Sequence, residues 1–422
     1  MLIEFTIGNF RSFNKKKTLS MLASSIHELE DTNVFKTHKH KLLKSAAVYG
    51  ANSSGKSNLI RALNWMKNFV LKSSKDTQIS ERINIEPFRL STECERQPSF
   101  FEVLFIINDT LYKYGFEVDY EKVHSEWLFK TPNTIKARET MLFTRETDRI
   151  NVGSQFIESN GLQDKTRPNS LFLSVVAQFN GTISGQVVQW FLNLKPVSGL
   201  DDTGIIQYTI AKLMEESKAE KIRSFLTPFD LGFENIFAKE IPIEKIKFPQ
   251  KISDMQKESL FRDYKGLAFI ITSHSKYSNE TKAVAKENFS LAENESAGTQ
   301  KIVALSAPLV DILENGYILA IDELDARLHP LLTRQIIKMF NSVEYNRKNA
   351  QLIFATHDTN LLSNKYFRRD QIWFTEKNQF EATDLYSLAE IKVRNDASFE
   401  KDYILGKYGA IPFIGNFTSE NE

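Results

Sequence analysis

The chain has 422 residues, 54 Lys and Arg against 53 Asp and Glu for a net charge of +1, 41% hydrophobic residues and one cysteine. That length supplies two or three domain-sized units with a large core, while so even a charge gives no global attraction to nucleic acid or membrane surfaces. A lone Cys94, an opening MLIEFTIGNF without a signal pattern, and no apolar run near the roughly 20 residues of a membrane span exclude secreted, membrane-spanning and disordered classes and leave a reducing cytoplasm.

Ile3, Phe5 and Ile7 alternate with Glu4 and Thr6, the period of a half-buried strand. Residues 46–49 predict a second strand leading into a Gly/Ser-rich loop at 50–55. Beyond it Leu59, Ile60, Leu63, Met66, Phe69 and Val70 recur at helical spacing, so 57–70 is predicted as an amphipathic helix. From about residue 71 to 289 the character changes. Aromatic and β-branched runs at 100–107 and 111–118, joined by Asn108-Asp109-Thr110, predict a β-hairpin. Residues 126–129 predict a further strand, and 171–179 and 186–194 are apolar enough to be buried. Residues 208–226 predict one helix with Ile210, Leu213, Met214 and Ile222 on one face, and Lys-rich 241–257 a solvated loop. In the last third, 300–315 predicts a helix capped by Gly316 despite Pro308 in its middle. Short apolar strands follow at 317–321 and 351–355, around an amphipathic helix at 330–343. Strands separated by helices predict an α/β fold with a mostly parallel, doubly wound sheet.

The strongest motif is Gly50-Ala51-Asn52-Ser53-Ser54-Gly55-Lys56-Ser57, a complete GxxxxGK[ST] loop between a predicted strand and helix. Its glycines let backbone N–H groups curl around phosphate oxygens, and the helix N-terminus adds its positive dipole end. Lys56 would neutralise β/γ-phosphate charge and the Ser57 hydroxyl would ligate Mg²⁺; Asn52, Ser53, Ser54 and Asn58 complete the expected ATP cradle. Such a loop needs a carboxylate at the end of a neighbouring strand. The run at 317–321 supplies it with Asp322 and Glu323, Asp322 for the metal and Glu323 to orient or deprotonate an attacking water.

Ser296-Ala297-Gly298-Thr299-Gln300 precedes the acid pair, Leu324-Asp325 follows it, and Thr356-His357-Asp358 ends the strand at 351–355. In this order the chain resembles the ABC-type ATPases, in the branch that includes the SMC and RecF proteins. The first segment is similar to their signature motif, with Ala for one glycine and Thr before the glutamine. Leu324-Asp325 is similar to the D-loop, His357 to the switch histidine, and Asn9-Phe10-Arg11-Ser12-Phe13 to the N-terminal strand-turn whose arginine approaches the phosphates. The resemblance implies a homodimer in which Ser296 and Gly298 close over the ATP of a second subunit, two ATPs and Mg²⁺ lying at the interface, with higher oligomers open. Gln178 is a candidate for the family's Q-loop glutamine.

No sustained heptads occupy the interval from Lys56 to Ser296, so a compact inserted lobe is expected, as in RecF-like or OLD-like proteins, with no long coiled coil. The expected division is an N-terminal half of the ATPase core at 1–70, an inserted α+β lobe at 71–289, a C-terminal half of the core at 290–390 and a tail at 391–422. Tyr112–Glu117 with Glu126-Trp127-Leu128, Asn169–Ser174, Leu328-His329-Pro330, Asp370–Phe374 and Tyr403–Pro412 also resemble stand-alone bacterial AAA-family ATPases of anti-phage and abortive-infection systems. That resemblance implies a slow ATPase acting as sensor or switch for a separate effector such as a nuclease. Two other readings stay open, a RecF-like DNA repair ATPase and a non-hydrolysing ATP-dependent scaffold. No nuclease or protease constellation is evident in the chain itself, His38 and His40 reading as solvated surface. DNA contact would rest on local basic clusters at 15–17, 36–44 and 368–369.

Overall fold

The alternation at Ile3, Phe5 and Ile7 forms β1 (Leu2–Gly8), with all three side chains buried. The structure, a computed structural model, describes residues 1–37, 39–75, 78, 81–134, 137–242, 266–279, 283–393 and 397–412. Predicted features at His38, at 243–257 of the expected loop and at Arg394 lie outside these residues, as do 413–422 of the tail. The described chain divides into two compact units: Met1–Gly199 with Leu313–Asp325 and Arg334–Glu422, and Leu200–Ile312 with Ala326–Thr333.

In the first unit β1 is followed by β2 (Lys17–Ser20), the small pair β3 (Val34–Thr37) and β4 (His40–Leu43), and β5 (Ser45–Tyr49). The phosphate-binding loop and α1 (Lys56–Lys72) come next. The hairpin expected from the aromatic runs is β6 (Ser99–Ile107) and β7 (Thr110–Val118). Its turn residues Asn108 and Asp109 both take positive φ (45° and 61°), the sense of turn that matches strand twist. Then come β8 (Val123–Pro132), β9 (Thr140–Glu146) and β10 (Arg149–Val152), α2 (Phe172–Gln178), α3 (Thr182–Asn193) and β11 (Leu194–Ser198). Strands β6 to β10 do not stand apart from the N-terminal residues. They join β1 and β2 in one seven-stranded antiparallel sheet of order β10-β9-β8-β7-β6-β1-β2. The packing boundary therefore falls at Gly199 rather than at residue 70, because β1 has its sheet partner in β6.

Helix α1 buries Leu59, Ile60, Leu63, Met66, Phe69 and Val70. Half-buried Trp65 stacks on Phe69 (4.9 Å between centroids) and on Phe101 (4.8 Å). Each such apolar side chain contributes on the order of 1.5–3 kcal/mol by leaving water. The far end of α1 is fastened by hydroxyls, Ser174 donating to the Val70 carbonyl (2.6 Å) and Ser170 to that of Ser73 (2.7 Å). Buried Glu126 on β8 holds the start of α2, accepting from the N–H groups of Phe172 (2.7 Å) and Leu173 (3.0 Å) and from the Tyr114 hydroxyl (3.0 Å). Burial raises the Glu126 pKa, while Arg145 (4.0 Å) and these donors oppose the rise. Three stretches of the defence-type resemblance, 112–117, 126–128 and 169–174, thus meet in one buried network.

The second unit contains α4 (Thr203–Leu213), α5 (Glu216–Leu226), a three-stranded antiparallel sheet of β12 (Asn235–Pro242), β13 (Gly266–Tyr277) and β14 (Ala283–Ser290), and most of α6 (Ala297–Asn315). The expected single helix over 208–226 is two. Thr209 and Leu213 are buried one turn apart, but the next buried positions are Ala219, Ile222 and Leu226. Six residues separate Leu213 from Ala219, so one continuous helix would rotate the second set out of the core, and the chain breaks at Met214-Glu215 instead. Pro308 sits inside α6 without ending it. Its missing N–H frees the Ala304 carbonyl, which accepts the Thr209 hydroxyl at 2.7 Å. At 19 residues α6 is the longest helix among the described residues, and none of these helices is long and apolar enough to cross a membrane.

Beyond α6 come β15 (Ile318–Asp322), α7 (Pro330–Asn341), β16 (Gln351–Ala355), β17 (Ile372–Lys377), β18 (Thr383–Ser387) and α8 (Phe399–Ile404). They complete the first unit's second sheet, of order β11-β15-β16-β5-β17-β18. Its strands are parallel except for β18, which runs antiparallel to β17. Strands β5 and β16 are buried along their whole length and β15 up to Ile321, the mark of a parallel sheet covered on both faces. The fold is mixed α/β with a second α+β unit, and no long coiled coil occurs among the described residues. At the C-terminal tail Tyr403 stacks on Phe374 (5.5 Å) and meets Tyr49 edge-on (6.1 Å).

Candidate functional site

The C-terminal ends of β5, β15 and β16 carry Gly50, Asp322-Glu323 and Thr356-His357, the end of an open parallel sheet at which α/β proteins bind ligands. A cavity of about 590 Å³ opens there, lined by Ser12, Asn52 to Asn58, Arg61, Glu323, His357 and Lys377. The loop geometry depends on two glycines. Gly50 (φ 155°) presses on the Thr375 carbonyl and hydroxyl, and Gly55 (φ 116°) on the Thr383 side chain, so a Cβ at either would collide. Ser53 also adopts positive φ (64°). The Ser54 and Thr375 hydroxyls share a 2.6 Å hydrogen bond, and Thr383 donates to the Ser54 carbonyl at 2.8 Å.

Lys56 is buried and folds back over the loop, its ammonium donating to the carbonyls of Gly50 (2.8 Å) and Ala51 (3.0 Å). Burial lowers its pKa, against the opposing charges of Asp322, Glu323 and Asp325. An anion entering the loop would relieve that desolvation directly. The pKa of His357 is lowered first by burial and then by the Lys56 charge, while Asp325, Glu323 and Asp322 raise it. Glu323 holds a positive φ (52°) as the chain leaves β15, and Leu324 donates to the Ala355 carbonyl (3.1 Å), tying the acid pair to the strand before His357. Asp322 keeps a buried Oδ1 without a hydrogen-bond partner. That orphaned carboxylate oxygen and the Ser57 hydroxyl, which lines the cavity, are each the hard oxygen donor that Mg²⁺ prefers.

Arg11 is placed differently from the expectation. Its guanidinium pairs with Glu86 (3.0 Å), and the strand-turn contributes the neighbouring Ser12 to the cavity instead. The Ser12 hydroxyl accepts from Asn58 Nδ2 and is hydrogen-bonded to the Thr383 hydroxyl, both at 2.8 Å. Sequence reasoning missed Ser12, Arg61 and Lys377 as lining residues. Arg61 lies one helical turn beyond Ser57 and was open to a periodicity argument; Lys377, at the end of β17, left no local signal. Gln178 is exposed at the end of α2 and does not line the cavity.

Ser296 and Gly298 belong to the second unit. Exposed Ser296 caps α6, its Oγ accepting from the Thr299 N–H (3.1 Å) while its carbonyl accepts from Gln300 N–H (2.9 Å). Gln300 turns back, donating from Nε2 to the carbonyls of Glu295 (2.9 Å) and Ala292 (3.2 Å). A Cβ at Gly298 would meet the Arg327 carbonyl at 3.1 Å. Several residues of the basic clusters are engaged within the chain. Lys17 pairs with Asp384, Lys16 with Glu117 (3.6 Å) and Lys41 with Glu30 (2.6 Å), while Lys44 and Arg368 are buried, the latter paired with Asp370 (2.7 Å).

The profile of a family described as "AAA domain, putative AbiEii toxin, Type IV TA system" matches residues 45–189 and 250–363, more than half of the chain. The chain belongs to that family. Its AAA domain spans the phosphate-binding loop at 50–57, Ser296 to Gln300, the acid pair Asp322-Glu323 and His357. No curated protein sequence matches it. The solved structures that match include the recombination mediator protein RecF with ATP, of the RecFOR pathway. It is 14% identical over 91% of this chain and 97% of that one, with a TM-score of 0.30.

Proposed function

We propose that the protein binds and slowly hydrolyses ATP as an ABC-type switch, closing as a homodimer around two nucleotides in the cytoplasm to control a separate effector, such as a nuclease, in bacterial anti-phage defence. The observation that carries the ATPase reading is the convergence of the loop, Glu323 and His357 on one cavity from three strand ends. Backbone N–H groups of the loop and Lys56 hold the β- and γ-phosphates. Mg²⁺, held by Ser57 with Asp322 behind it, would neutralise charge on the transferring phosphoryl group. Glu323 orients a water for attack at the γ-phosphorus and accepts its proton as the new P–O bond forms and the bond to ADP breaks. His357 offers an N–H to the γ-phosphate. The defence role is supported by the toxin–antitoxin description of the family and by the chain's own motifs, and the engaged basic clusters favour it over direct action on DNA.

Steady-state ATPase assays of wild type and Glu323→Gln test the reading. The variant should lose turnover about 100-fold or more while still binding ATP and accumulating as dimer by sedimentation. Wild-type turnover no higher than that of Glu323→Gln, with the effector partner added, would replace the switch by a non-hydrolysing scaffold. Tight duplex binding at low salt that weakens steeply with added salt would favour the RecF-like reading.

A further inference from the structure

The residue before the signature serine is tied to the sheet of the second unit. Glu295 is nearly buried, with side-chain exposure of 10%, and its Oε1 is bonded twice by β13, accepting the Thr272 hydroxyl (2.5 Å) and pairing with His274 Nε2 (2.8 Å). Thr272 and His274 are two apart on β13 and so share one face of the sheet. The His274 ring is packed by Phe289 of β14, 4.7 Å away, and by Phe233 at 6.4 Å. One peptide further on, the Ser296 Oγ caps α6, and the Gln300 side chain closes back on the Glu295 carbonyl. The start of α6 is thus held from both sides, by its own glutamine and by a carboxylate reaching into β13.

We propose that Glu295, held by Thr272 and His274, is a positioning residue for the signature: the β12–β14 sheet sets where Ser296 and the first N–H groups of α6 are presented. The inference rests on the signature reading given above and deepens it by naming a route from the second unit's sheet to nucleotide-driven closure. A displacement of β13 moves Ser296 with it, because the carboxylate connects them without a flexible residue between.

The test measures three quantities on the full chain: fluorescent ATP-analogue affinity, ATP-induced dimerisation by sedimentation, and the protein-concentration dependence of turnover. Glu295→Ala should shift half-maximal dimerisation to about tenfold higher protein, the scale of a lost charge-assisted bond pair, with nucleotide affinity changed less than about twofold. Glu295→Gln retains the Oε1 acceptor and should recover most of the loss, and Thr272→Val should give an intermediate shift. These isosteric variants answer for any failure of Glu295→Ala to fold. Wild-type dimerisation in Glu295→Ala alongside abolished dimerisation in Ser296→Arg overturns the positioning role and leaves the signature reading standing. Unchanged dimerisation in Ser296→Arg removes the signature reading, and this proposal with it.

Discussion

The phosphate-binding loop and the signature segment are held in different ways. In the first unit Ser54 is bonded to Thr375, Lys56 spans two loop carbonyls, and Thr383 ties both Ser54 and Ser12, so residues far apart in sequence fix one cavity. In the second unit Ser296 is exposed, and it is hydrogen-bonded to Thr299 and Gln300, within its own turn of helix. The loop is built to receive an anion where it stands. The serine stands exposed at the N-terminus of α6, where the proposed homodimer would bring it to a second subunit's nucleotide.

The strongest way to break this comparison is Lys56→Ala. It should weaken nucleotide binding about 100-fold or more, since a charge-assisted phosphate contact is lost from a desolvated site. Because burial already disfavours the Lys56 charge, thermal stability without nucleotide should not fall; a cooperative loss of stability would show that the lysine serves the fold. Ser296→Arg should abolish ATP-induced dimerisation and leave nucleotide affinity within about twofold, since the added bulk affects only the presented surface. Weakened nucleotide binding by the isolated protomer would mean that the two regions are not functionally separate.

Arg11→Ala should change nucleotide affinity less than about threefold, because the guanidinium is engaged in a half-exposed pair with Glu86, and such pairs are worth little. A loss comparable to Lys56→Ala would show that Arg11 leaves Glu86 when nucleotide arrives. The smallest effect concerns His357. Its folded pKa lies below the ordinary imidazole value of 6.5, so the unfolded chain binds more protons there and stability falls as pH drops below that value. His357→Gln should flatten the change in Tm across that window. Nucleotide phosphates should raise the imidazole pKa in an NMR titration by offsetting Lys56; a fall would place His357 away from the nucleotide.

The phosphate-binding loop, the acid pair and His357 were legible because each is a short motif attached to a strand or helix whose period is written in a dozen residues. Arg11 was the natural candidate from its motif, yet its turn sends the side chain to Glu86 and leaves Ser12 facing the cavity. Asn9 and Arg11 both take positive φ in that turn (48° and 50°), a backbone course that sequence pattern does not encode. The expected helix over 208–226 divides in two for a related reason. Its apolar residues suit a helix locally, but the six-residue step from Leu213 to Ala219 breaks the face.

By itself the sequence determined the loop, the order of the motifs, the strands on which they sit and the absence of a signal for long heptads, since these depend on neighbours within one or two turns of chain. Tertiary structure alone decided that β6 to β10 join β1, that Lys377, Arg61 and Ser12 complete the cavity, that Thr209 satisfies the carbonyl freed by Pro308, and that Glu295 is fastened to β13. Each of these is a choice of partner for a buried edge, a carbonyl or a charge. Many distant groups offer the same chemistry, and only the packed chain shows which one is within reach.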